Sequence, residues 1–155
     1  MTRIVTLLAL LFWGATASAD PLQPRDGWVV LPSEKTFDVL LEDLNSAVSA
    51  NDMAVVTQAG PTGAAAQRGI TIPNNRVVGV FNNVFAVRIL DLSTAAMIEA
   101  PIRFYLTEDE AGATTLSYKT PSHVFAPYSD EGGADLTAAA AELDAIFLAI
   151  AEAAR

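Results

Sequence analysis

IRFYLTEDEAGATTLSYK, residues 102–119, consists of two alternating runs joined by a polar tip. Ile102, Phe104 and Leu106 point one way, and Arg103, Tyr105 and Thr107 the other, which is the period of a half-buried strand. Thr114–Lys119 repeats the pattern, with Leu116 and Tyr118 on the inner side. Glu108-Asp109-Glu110-Ala111-Gly112 is short, polar and glycine-containing, so the two runs are expected to form an antiparallel hairpin.

Around this hairpin the pattern changes to helical spacing. Phe37, Leu40, Leu41, Leu44 and Val48 recur along one face, preceded by Ser33, which is expected to cap a helix. Near the other end Leu136, Ala140, Leu143, Phe147 and Ile150 form a second stripe, widened by Ile146, with Asp135 as the expected cap. Trp28–Leu31 reads as a buried first strand ended by Pro32, Met53–Thr57 as a second strand and Val77–Phe81 as a third. Thr62–Gly69 suggests a short helix closed by glycine. Val84–Leu92 suits a strand or a helix equally. Ser93 is expected to cap a short helix through Glu99, stopped by Pro101. Thr120–Gly133, with its prolines, reads as a loop. The fold class expected is α+β: one domain, a mainly antiparallel sheet with helices packed on one face.

The chain begins with an export signal by composition. Arg3 is followed by Ile4–Trp13, apolar apart from Thr6, and then by the small residues Ala17-Ser18-Ala19. This predicts a signal peptide over residues 1–19, cleaved after Ala19, and a periplasmic or secreted product. Gly14, Thr16 and Ser18 interrupt the run before it reaches the roughly 20 apolar residues of a membrane span. Removal of 19 of the 155 residues leaves 136, enough for one domain without staples. Residues 20–32 are expected to supply a leader and the first strand, and 27–155 the folded domain. There is no cysteine, so disulfides and thiolate zinc sites are excluded. The exported part carries eight basic and 18 acidic residues, a formal charge of −10. Such a balance argues against nucleic-acid and membrane-surface partners.

Several strings, in order, resemble the domain of unknown function 302 family over about residues 33–125. They are Ser33…Phe37…Leu44, Ala66…Gly69 followed by Ile72-Pro73, Val80-Phe81 with Asn83, Pro101–Leu106, the acidic hairpin, and Leu116-Ser117-Tyr118. The resemblance implies a fold similar to the TATA-binding-protein-like β-α-β4-α plan, and no reaction. Where the family commonly has Asp-His after its second strand, this chain has Gln58-Ala59-Gly60-Pro61. Its Phe-Gly-Asn-Pro turn reads Phe81-Asn82-Asn83-Val84.

No catalytic motif, metal-ligand set or cofactor-binding signature stands out. His123 is the sole histidine, too few for the histidine shell of a catalytic zinc. The candidate ligand-binding residues are Asn82, Asn83, Arg88, Tyr118 and His123, with Arg103 a further arginine able to hold a carboxylate or to pair with an acid. Glu108-Asp109-Glu110 could meet a hard cation, but three consecutive acids at a hairpin tip point in different directions, and residues 130–135 lack the alternating oxygen ligands of a calcium loop. The function expected is therefore a non-enzymatic exported module that binds a small, partly apolar ligand in a groove along Val84–Leu92. The alternatives are a homodimerising structural domain, using an edge strand or the Ile146 side of the last helix, and a weak hydrolase or isomerase built on His123.

Overall fold

The computed structural model describes residues 22–155, so the signal peptide and its cleavage position lie outside the described residues. Five antiparallel strands form one sheet in the order β1-β5-β4-β3-β2, with its main helical layer on one side of it. The strands are β1 (Trp28–Ser33), β2 (Ala54–Ala59), β3 (Asn75–Phe81), β4 (Ile102–Glu108) and β5 (Thr114–Lys119). Between them and after them lie α1 (Phe37–Ala50), α2 (Thr62–Gln67), α3 (Asn83–Leu92), α4 (Pro121–Phe125) and α5 (Ser129–Ala154). The expected α+β class and single domain are what is found.

The hairpin sits at the centre of the sheet. Phe104 pairs with Tyr118 and Leu106 with Leu116, so their side chains share the face that α1 and α5 cover. There Phe104 stacks on Phe147 of α5 at 4.8 Å between ring centroids, and Tyr118 meets Phe104 edge-on at 5.1 Å. Leu40, Leu44 and Val48 of α1 and Leu136, Leu143, Phe147 and Ile150 of α5 complete the core, as their spacing predicted. Asp109 builds the hairpin tip by accepting from the backbone N–H groups of Ala111 and Ala113. Glu108 accepts from Asn74. These acids are occupied in making a turn.

Several boundaries differ from the sequence reading, each for a local reason. Pro32 does not end β1: the strand continues to Ser33, because β1 is at the sheet edge, where a missing N–H is tolerated. Ser33 is consequently in the strand and Thr36 occupies the N-cap of α1. Val84–Leu92 is helical, because the Asn82 side chain accepts from the N–H groups of Val84 and Phe85 and so starts α3. Thr120–Gly133 is largely helical rather than a loop. Thr120 caps α4 by accepting from His123 N–H, and Pro121 fits the first helical position. Asp135 is not a cap. The helical run breaks at Gly133 (φ 58°, ψ −147°), and Asp135 falls within the turn that follows. Ser93 accepts from Ala96 N–H at the start of a 3₁₀ turn, as expected.

Candidate functional site

The strand alternation that buries Phe104 and Tyr118 sends their neighbours to the opposite face. Tyr105 lies between Val77 on β3 and Ser117 on β5, Arg103 opposite Gly79, and Trp28 opposite Lys119. On this face there is a concavity of about 500 Å³. Its walls include Trp28, Val77, Glu99, Arg103, Tyr105 and Lys119, and it runs to the end of the sheet where β4 begins and β5 ends. Val124 of α4 and Tyr118 border it as well.

Several of the walls are held by specific contacts. The Tyr105 hydroxyl accepts from the Asn75 side-chain amide, which fixes the ring against β3. Trp28 has two cations over its ring, the Arg25 guanidinium at 5.3 Å and the Lys119 ammonium at 5.6 Å from the ring centroid. Glu99 accepts from the Tyr128 hydroxyl at 2.7 Å. That hydrogen bond, more than burial, raises the Tyr128 pKa. Gly79 belongs to the same face, where Pro101 and Thr57 press so close that a Cβ would come within 2.9 Å of the proline ring and 2.2 Å of the Thr57 hydroxyl. The absence of a side chain there lets the segment entering β4 lie down on the sheet. At the mouth Gly27 has φ +74° and the His123 imidazole rests on it, 2.1 Å from where a Cβ would be.

The residues singled out from sequence come together only in part. Asn82 is a structural cap and also donates to the backbone oxygen of Asp52 at 2.8 Å. Asn83 is an exposed residue of the first turn of α3. Arg88 is not near the middle of the fold: its side chain is 39% exposed and forms a two-point ion pair with Glu142. Beneath α3 there is an apolar cavity of about 30 Å³, lined by Met53, Phe85, Ile89 and Phe147 among others. Such a space has room for a water-sized molecule and none for an organic ligand. Tyr118 is 2% exposed and belongs to the aromatic core. Burial, helped by the Asp144 and Glu152 carboxylates, pushes its phenol up to about 12. His123 is exposed on α4 and, among the described residues, makes no hydrogen bond to a carboxylate. The nearby Asp144 accepts instead from the backbone and hydroxyl of Ser122. Among the described residues no three acidic or histidine side chains converge as a metal site requires, and no helix is long and apolar enough to cross a membrane.

Arg103 lines the concavity, Tyr118 borders it from the core side, and His123 rests on Gly27 at its mouth. The wall residues Trp28 and Lys119 were missed, because only the β1–β5 register brings them together. Tyr105 was within reach: the alternation of residues 102–107 already placed it beside Arg103, away from the core.

The family model for the domain of unknown function DUF302 matches residues 29–152. A crystal structure described as an uncharacterized conserved protein DUF302 from Bacillus stearothermophilus superimposes with a TM-score of 0.74. Its identity is 16%, over 84% of this chain and 100% of that one. That level of identity speaks for the fold alone. No curated protein matches the chain.

Proposed function

The chain belongs to the family of the domain of unknown function DUF302, and from that premise we propose that it is an exported, non-enzymatic module that binds a small, partly apolar ligand on the face of its sheet away from the main helical layer. The observation that supports this reading is the concavity of about 500 Å³ with aromatic, aliphatic and cationic walls. Its size lies in the usual range of small-molecule sites, and its mixture of apolar surface with a few polar groups is the usual make-up of one. The export part of the reading rests on Arg3, the apolar run to Trp13 and the Ala17-Ser18-Ala19 site.

Native mass spectrometry of the purified protein after exposure to cell extract tests the binding. An adduct of small-molecule mass is expected, and it should be lost in Val77→Trp, which fills the concavity. A protein that stays empty in every extract removes the reading. Recovery of the chain with residues 1–19 still attached from the cytosol removes the export part.

A further inference from the structure

We infer that the ligand of this face is an anion, a small flat carboxylate held between Arg103 and Lys119 with its apolar body against Trp28 and Tyr105. The inference rests on the reading that the concavity binds a small ligand, and adds the chemical class.

Charge distribution carries it. The described part of the chain is strongly acidic, with eight basic residues for 18 acids over the exported length. Three of those eight, Arg25, Arg103 and Lys119, gather about one hollow. Of the other five, three find acids among the described residues: Lys35 pairs with Asp43, Arg88 with Glu142 and Arg155 with Glu152, while Arg68 and Arg76 do not. Around the concavity none does. Among the described residues neither Arg103 nor Lys119 forms an ion pair. The one carboxylate in the walls, Glu99, is engaged by Tyr128.

The two cations are also neighbours. Phe104 of β4 pairs with Tyr118 of β5, and Arg103 and Lys119 each stand one residue beyond that pair, on the same face. Like charges side by side on adjacent strands repel and destabilise a sheet. An anion between them turns that repulsion into attraction. The planar guanidinium matches a carboxylate in two-point fashion, while the ammonium supplies a second, less directional charge. Val77 and the rings of Trp28 and Tyr105 leave apolar wall beside this charged end, which suits a flat hydrocarbon or aromatic body. A bulk phosphate-rich polymer is disfavoured by the −10 formal charge of residues 20–155 as a whole.

The test uses three probes of one shape and different charge: benzoate, benzamide and benzylamine, added to the purified protein at millimolar concentration. Binding is read by calorimetry and by chemical-shift changes of the Trp28 indole. Benzoate is expected to bind, to raise the unfolding temperature, and to weaken as salt is added. Arg103→Gln should weaken benzoate by about tenfold or more, the worth of a charge-assisted hydrogen bond, and Arg103→Lys should restore part of the loss. Arg103 is exposed, so both variants are expected to fold, with the unfolding midpoint as the check. Equal or tighter binding of benzamide or benzylamine in the concavity overturns the anion inference and leaves the site standing. If none of the three probes binds, the inference falls; an adduct from cell extract that Val77→Trp abolishes then shows that the site itself survives.

Discussion

The Arg88 guanidinium donates two parallel hydrogen bonds to the Glu142 carboxylate, at 2.8 and 3.0 Å, and so ties α3 to α5 across the outer surface. The Arg88 bond holds the Glu142 carboxyl below its ordinary value, and the same bond raises Arg88. A carboxyl lowered on folding contributes stability above its unfolded pKa, and that contribution disappears as pH falls through the folded one. A double-mutant cycle with Arg88→Ala and Glu142→Ala is therefore expected to show coupling at neutral pH and none in acid. Because both groups are exposed, the coupling should also shrink with salt. Coupling that persists in acid and in high salt contradicts this account.

Asn82 works twice, as the cap of α3 and as the donor to Asp52. Asn82→Ala is expected to cost about 0.5–2 kcal/mol, the usual worth of an N-cap. Asn82→Asp keeps the cap acceptor and loses the donor, so it should cost less. Urea denaturation of the two variants decides; equal losses would assign the stability to the Asp52 bond instead.

Phe147 stacks on Phe104 and touches Tyr118 at 5.6 Å between ring centroids, with no exposure to solvent. Phe147→Ala is expected to lose about 3–5 kcal/mol, as large-to-small changes in aromatic cores do. Set against a total of about 5–15 kcal/mol for a domain, this leaves a protein that melts early in a calorimetric scan. A variant within 1 °C of the parent would show that the ring is not part of the core's support.

Gly27 has φ +74° and the His123 ring on top of it. Gly27→Ala adds both a strained backbone, worth roughly 1–3 kcal/mol, and a collision with the imidazole. His123→Ala alone is expected to be nearly neutral in stability, and combined with Gly27→Ala it should recover the collision part and leave the backbone part. Thermal unfolding of the three proteins separates the two; no recovery in the double variant assigns the whole cost to the backbone.

The Tyr118 phenol, at about 12, stays protonated well beyond the ordinary tyrosine range, chiefly because it is buried. A phenol raised on folding adds stability below its unfolded value of about 10, and loses it as pH climbs through the folded value. The ultraviolet phenolate titration of the folded protein should therefore contain a late step at about 12 that Tyr118→Phe removes. Persistence of that step in the variant would assign it to another tyrosine.

Much of the fold was legible because periodicity is a consequence of burial. The faces of α1 and α5 and the alternation of residues 102–119 could be read directly, since each meets the core on one side only. Val84–Leu92 could not, because apolar residues surround that segment: Ala86 and Ile89 face the core, while Val84 and Val87 remain exposed. Only the Asn82 cap distinguishes the helix, and a cap is one residue of evidence. Proline misled twice for one reason. At 32 it sits on an edge strand and at 121 at a helix start, both places that do not need its N–H. The candidate site was less legible than the fold. It is assembled by register between strands about 90 residues apart, Trp28 against Lys119, and no local pattern encodes that pairing. Arg88, by contrast, had an acid waiting on another helix.

The placement of β1 has a kinetic side. Its one neighbour in the sheet is β5, and Lys35 just after it donates to the Ala154 backbone oxygen at 2.7 Å. During synthesis, the opening strand must wait until β5 has been made before another strand can zip against it, and such distant closure is slow. A nascent chain arrested before Thr114 should therefore stay open and protease-sensitive, a form that a narrow translocation channel could thread.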